Sequence, residues 1–140
     1  MSTDISRRQT GAFVPESRGW PRGPHGTGPG DTPAIMLDFT LIDASVRPNG
    51  FAPSGLVLGK VNGTPNVYGQ YDPAASDGRQ VAAGLLFSSV STPASIATTK
   101  VGGALFVHGF VDDTRLPVKT GTKGILDAAA KAALKLIAFG

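Results

Sequence analysis

The hydrophobic and polar positions of this chain alternate in short runs, and the clearest run follows a polar loop in the middle of the sequence. From Val81 to Ser88 every second residue is apolar, and the residues between them are small or apolar too, so both faces suit burial. The preceding loop, from Asp72 to Gly78, is rich in residues that favour tight turns. The pattern predicts a chain reversal that leads into a strand buried on both sides.

Similar runs elsewhere predict a body made mostly of short strands. Gly55 to Val61 is largely apolar, and the Asn62-Gly63 pair after it is the strongest two-residue signal for a hairpin. Loops rich in Pro, Gly, Ser and Thr separate the other runs. The predicted strands cover residues 34–42, 55–61, 66–71, 79–90, 104–111 and 115–118. The fold class that follows is mainly β (α+β).

One segment near the end of the chain has helical periodicity. Its apolar residues recur at spacings of three and four over residues 125–136, which predicts a C-terminal helix. Asp127 and Lys131 are four residues apart in the order that stabilises a helix. The alanine-rich face is small enough to pack closely against a sheet or between subunits.

Composition changes near residue 34 and divides the chain in two. Residues 1–34 mix many glycines and prolines, which oppose both helix propagation and continuous strand pairing. We therefore predict a flexible N-terminal arm at residues 1–34, disordered in isolation, and a compact β-rich body at residues 35–140. At that length one body can bury enough surface for a core of its own.

The arm also carries side chains typical of binding anchors, which are aromatic, aliphatic or arginine residues. The candidates are Phe13, Val14, Arg18, Trp20 and Arg22. A solvated spacer has little use for the only tryptophan of the chain, so these residues predict a binding role for the arm. The alternative is that Trp20 folds back onto its own domain, and the sequence leaves this open.

Charge and composition limit the classes of partner. Charged residues make up 16% of the chain and hydrophobic ones 41%, which favours a surface covered by other subunits. The net charge of +3 is scattered, so no footprint for direct nucleic-acid binding is indicated. No apolar stretch could cross a bilayer and no secretory leader is evident, so we predict neither membrane insertion nor secretion.

The residues that could carry chemistry do not assemble into a known site. His25 belongs to the predicted arm, and His108 is predicted to lie on the polar or interface side of a strand, so no nucleophile and base are brought together. The Asp72 loop lacks carboxylates at the positions that calcium requires, and Asp112-Asp113 is typical of a turn. With no cysteine, thiolate metal sites and disulfides are excluded. We predict no enzymatic activity, no cofactor and no bound metal.

Four segments, in their order along the chain, carry a family resemblance. They are SGLVLGKV, YDPAASDGRQVAAGLLF, GGALFVHGFVDDTRLP and GILDAAAKAAL, with a short lead-in from Ile35 to Asp38. In this order they resemble the head decoration proteins of tailed bacteriophages, the lambda-type family of capsid decoration proteins. The resemblance spans residues 35–140, and its specificity lies in the order of the segments.

The resemblance implies a capsid decoration (cement) protein, made in the host cytoplasm and located on the outer surface of the virion head. It implies a homotrimer whose partner is the major capsid protein and which stabilises the head against internal DNA pressure. It also implies that the arm becomes ordered against the capsid. Two alternatives stay open, a trimeric receptor-binding knob of a tail spike and a small nucleic-acid-binding β-barrel.

Overall fold

The computed structural model describes residues 19–28, 30–47, 50–118 and 125–140. The chain there forms short strands and one short α-helix, α1, which confirms a β-rich body with one C-terminal helix. The strands are β1 (Ala34–Asp38), β2 (Phe51–Ala52), β3 (Val57–Lys60), β4 (Val67–Gln70), β5 (Ala82–Leu86), β6 (Val90–Ser91), β7 (Lys100–Phe106), β8 (Gly109–Val111) and β9 (Ile137–Phe139). The helix α1 is Ala128–Ala133, and short 3-10 turns cover Phe39–Leu41, Ala44–Val46 and Asp113–Arg115.

Five of the strands close into a small barrel in the order β1-β4-β3-β5-β7. Only the β1–β4 pair is parallel, and β7 returns antiparallel to β1 to complete the barrel. Side chains alternate as strand geometry requires: Ile35 and Leu37 are buried, whereas Met36 between them is 36% exposed. The barrel core contains Ile35, Leu37, Phe39, Ile42, Ala52, Leu56, Leu58, Leu86, Val90 and Leu105.

A second group of elements comes from both ends of the described chain. Strand β8 pairs in parallel with β9, and Pro21 forms an antiparallel bridge with Val111 of β8. A second core cluster joins these elements and α1 to the barrel. It contains Trp20, Val57, Tyr71, Ala82, Leu85, Phe106, Val111, Leu116, Ala130, Leu134 and Ile137.

The strand predictions are confirmed in part. The predicted hairpin is present, with β3 and β4 antiparallel, but its loop covers residues 61–66 instead of the two residues Asn62 and Gly63. The single strand predicted at 104–111 is instead two strands, β7 and β8, with a break at Val107 and His108. The strand predicted at 115–118 is wrong, because Asp112 accepts a hydrogen bond from the Thr114 amide and starts a 3-10 turn there.

The C-terminal helix is present but half as long as its apolar periodicity predicts. It begins where Asp127 Oδ1 accepts a hydrogen bond from the Ala130 amide at 2.8 Å, an N-cap. It ends at Ala133, with Leu134 as its C-cap, because the chain then turns into β9, whose pairing with β8 outweighs helix propensity. Lys131 bonds to Asp113 at 2.8 Å rather than to Asp127. Across the described ranges, no helix has both the length and the apolar character to cross a membrane.

The body begins earlier than the predicted boundary at residue 34. The Arg22 amide donates to the Phe110 carbonyl at 2.9 Å, and the Asp112 amide donates to the Trp20 carbonyl at 2.7 Å. Residues 20–22 therefore run along β8 as a short, strand-like addition, and the chain then turns between Pro24 and Thr27. The glycines and prolines of residues 19–28 do not prevent docking, because Trp20, Pro21 and Arg22 pair with β8 and the residues after them form a tight turn.

Candidate interaction surface

The structure describes two of the five predicted binding residues, Trp20 and Arg22. Phe13, Val14 and Arg18 lie outside the described residues. Arg22 is at the surface, with 54% of its side chain exposed and its Nη2 atom 4.0 Å from the Asp112 carboxylate. Trp20 is only 1% exposed, so it cannot contact a partner while the body is folded. In this structure Trp20 packs on its own domain, which is the alternative that the sequence left open, and it is not a surface residue.

The surroundings of Trp20 explain why burial prevails. Its indole packs edge-on against the rings of Phe106 and Phe87, with centroids 5.0 and 6.5 Å away. Its Nε1–H donates to Ser54 Oγ at 3.1 Å, and Ser54 in turn donates to the Phe87 carbonyl at 2.7 Å. The large apolar ring is thus removed from water while its polar group is satisfied, which makes burial favourable.

Two large apolar side chains lie at the surface of the β8–β9 sheet. Phe110 lies between two buried residues of β8 and points outward, with 53% of its surface exposed. Its register partner on β9, Ala138, is also exposed. Leu136, just before β9, is 72% exposed. Exposed apolar side chains that lie together indicate an interaction surface.

These residues line a shallow groove of about 200 Å³, here called the Phe110 groove. The side chains along it are His25, Phe110, Lys135, Leu136 and Ala138. The His25 ring lies 5.9 Å from the Phe110 ring, so the docked N-terminal segment forms one wall. An apolar floor with a charged edge suits a protein partner. The sequence pattern does not predict this groove, because it places Leu136 on a helix and Phe110 in a longer strand.

Two histidines lie together beside the groove. His25 Nε2 is 3.4 Å from His108 Nδ1, and Asp31 Oδ1 is 3.6 Å from His108 Nε2. The prediction that His108 lies on one side of a strand is wrong, since it occupies the break between β7 and β8. In the part of the chain that the structure describes, no three His, Cys, Asp or Glu side chains are grouped to hold a metal ion.

The carboxylates of the Asp72 loop serve the loop itself. Asp72 Oδ1 accepts a hydrogen bond from the Ala74 amide at 3.0 Å, which is a tight turn of the predicted kind. Asp77 pairs with Arg79 at 3.0 Å. Partial burial opposes ionisation of Asp77, but the hydrogen bonds and charge of Arg79 prevail and lower its pKa. Both carboxylates therefore have partners within the loop.

Tyr71, at the start of this loop, connects the barrel to α1. Its hydroxyl donates to the Asp127 carboxylate at 3.0 Å, the same carboxylate that caps the helix. Burial raises the pKa of Tyr71 to about 12, and the hydrogen bond to Asp127 and the charges of Asp127 and Asp72 act in the same direction. Tyr71 is therefore held as the neutral phenol.

We expect the folded protein to lose stability in alkali because of Tyr71. Below pH 10 the phenol is protonated in both the folded and the unfolded chain. Between about pH 10 and pH 12 only the unfolded chain releases the proton, so the free energy of unfolding falls, by at most about 1.4 kcal/mol per pH unit. Denaturant titrations at a series of alkaline pH values measure this slope, and Tyr71→Phe should reduce it.

Replacing Tyr68, the other of the two tyrosines, isolates the signal of Tyr71, because burial raises the pKa of Tyr68 as well. In Tyr68→Phe, tyrosinate absorbance reports Tyr71 alone and should titrate well above pH 10. An ordinary titration of Tyr71 in this variant, or an alkaline slope that Tyr71→Phe leaves unchanged, would contradict the assignment.

The structure thus provides an apolar groove, a pair of imidazoles at its side and a tyrosine that links helix to barrel. The groove is the feature most suited to a protein partner, since it exposes an aromatic and an aliphatic side chain together. No protein-family model, curated protein or solved structure matches the chain.

Proposed function

We propose that this chain is a capsid decoration (cement) protein that binds the outer surface of a tailed-phage head as a homotrimer. The resemblance of the four ordered segments supports the class of function. The structural observation that carries the proposal is the joint exposure of Phe110 and Leu136 in the Phe110 groove. The occupant we assign to this groove is a second copy of the chain.

Burial of this groove would supply a substantial driving force for assembly. Removing a Phe or Leu side chain from water is worth about 1.5–3 kcal/mol each. Three copies related by rotation close into a ring, so that each copy gains the contact. The low content of charged residues, 16%, agrees with an interface that contains few charges.

The capsid contact is assigned to the chain before Gly19, because Trp20 belongs to the core. Phe13, Val14 and Arg18 are its proposed anchors, and Arg22 stays available at the body surface. Three such segments on one trimer gain about 10² to 10⁴ in avidity over one. The trimer would thereby hold neighbouring capsomers together against the pressure of packaged DNA.

The nucleic-acid-binding alternative is less well supported by the charges. A single-strand binder needs free basic side chains along a groove with stacking aromatics. Several of the described basic side chains are instead paired with carboxylates. These pairs are Arg22 and Arg115 with Asp112, Arg79 with Asp77, and Lys131 with Asp113.

We expect the free protein to have a mass of about three times 14.3 kDa by light scattering. The double variant Phe110→Ser, Leu136→Ser should be a folded monomer, because both side chains are already outside the core. Val81→Ser is the matched control, since Val81 is 58% exposed but does not line the groove, and it should stay trimeric. A wild-type monomer at micromolar concentration would contradict the proposal.

Binding to heads tests the function itself. The wild-type protein should co-sediment with heads of its phage that were assembled without it. The decorated heads should resist heating better than undecorated heads. The monomeric double variant should bind about a hundredfold or more weakly, through lost avidity. Deletion of residues 2–18 should leave the trimer intact but abolish its binding to heads. Failure of the wild-type trimer to bind heads would overturn the decoration role while leaving the assembly result in place.

A further inference from the structure

We propose that His25 and His108 form a binding site for a divalent transition-metal ion of the zinc class. The first observation is their geometry. His25 Nε2 and His108 Nδ1 are 3.4 Å apart, with ring centroids 5.1 Å apart and ring planes inclined by 67°. In a single protomer His25 is exposed and 29% of the His108 side chain is exposed, so an ion can reach both rings of that protomer.

The fold itself holds these rings together. A Cβ on Gly26 would overlap the His108 carbonyl oxygen, and a Cβ on Gly109 would lie 2.5 Å from the His25 carbonyl oxygen. Each glycine therefore lets the backbone beside one histidine touch the backbone of the other. The two imidazoles are placed by this close contact and not by the chance meeting of two long side chains.

The distance between the two nitrogens is compatible with a shared ion. At 3.4 Å a hydrogen bond between the rings would be a long one. Two imidazole nitrogens that each lie about 2.05 Å from a tetrahedral zinc ion are about 3.3 Å apart. The pair is thus close to the geometry that coordination needs.

Asp31 favours the tautomer that coordination requires. Its Oδ1 atom is 3.6 Å from His108 Nε2, the ring nitrogen that points away from His25. A carboxylate at this position favours a proton on Nε2 and leaves the Nδ1 lone pair directed to His25. A carboxylate behind a histidine ligand orients the ring and raises its basicity at many metal sites.

The types of ligand in the site restrict which metal ions can bind there. Imidazole nitrogens suit zinc, copper and nickel, whereas calcium and magnesium need oxygen ligands. Only two protein ligands are provided by the described residues, so water fills the other positions and the affinity is below that of a four-ligand structural site. Asp31 stays outside the coordination sphere in this arrangement.

Zinc titration of the full, tag-free chain after chelator treatment tests the proposal. The chain has two histidines and no cysteine, so the imidazole resonances in NMR report this site alone. Both histidines should shift together and saturate at one zinc ion per chain. A shift in the resonances of one histidine only, no shift in either, or a different number of zinc ions per chain overturns the proposal.

The zinc affinities of single-residue variants, measured by calorimetry, identify the ligands. Asp31→Asn should weaken zinc binding about tenfold, and His25→Gln and His108→Gln by a larger factor. His25 is exposed, so His25→Gln should stay folded, as circular dichroism can check. Unchanged zinc affinity in folded His25→Gln overturns the proposal. The wild-type NMR titration decides the question even if His108→Gln does not fold.

Discussion

Replacing Trp20 by alanine is expected to lower the free energy of unfolding by about 3–5 kcal/mol. Trp20 is 1% exposed and packs on Phe106 and Phe87, so its removal leaves a large cavity between the barrel and the β8–β9 sheet. It also leaves Ser54 without its indole partner. Because the free energy of unfolding of small domains is about 5–15 kcal/mol, this loss is a large share of the total stability.

Chemical denaturation followed by far-ultraviolet circular dichroism measures this effect, because Trp20 is the only tryptophan and its fluorescence is lost with it. Trp20→Phe keeps an aromatic ring and should cost less than alanine. Arg22→Ala, at an exposed position two residues away, should change stability by about 0.5 kcal/mol or less. Equal stability of Trp20→Ala and the wild type would refute the docking of residues 19–28 on the body.

Alanine at Gly26 or Gly109 is expected to lower the free energy of unfolding by about 2 kcal/mol or more. Both residues have positive φ, +83° and +136°, which side chains with a Cβ rarely adopt. A Cβ on either residue would also lie too close to a carbonyl oxygen of the opposite segment. The change therefore adds backbone strain to a steric clash, and thermal unfolding measures the loss.

Gly23→Ala is the matched control in the same segment. A Cβ there meets no atom within 4 Å, and Gly23 is not among the residues with positive φ. Its alanine variant should be about as stable as the wild type. If Gly26→Ala and Gly23→Ala proved equally stable, the close contact between the two histidine segments would be disproved.

Local patterns predicted the parts of the fold that local forces determine. The Asn62-Gly63 hairpin follows from turn chemistry, and the burial of β5 follows from small and apolar residues on both faces. The β8–β9 pairing could not be predicted, because each strand has three residues and the two are parallel neighbours distant in sequence. Such short runs give too little periodicity to distinguish strand from helix.

The candidate site was missed for a related reason. His25 and His108 are 83 positions apart, and no local pattern indicates that they meet. The docked segment from Gly19 to Gly28 has no periodicity of its own, so its composition suggested disorder. The available signal was Trp20, whose large apolar ring made packing on the domain one of two open interpretations.

The bridge between Pro21 and Val111 has a consequence for aggregation. Strand β8 has β9 on one side and the segment beginning at Trp20 on the other, so neither of its edges is left open to another chain. The new outer edge contains Pro21, which has no N–H to donate to an incoming strand. A proline-rich composition that resembles a linker is therefore well suited to a segment that protects the edge of a sheet.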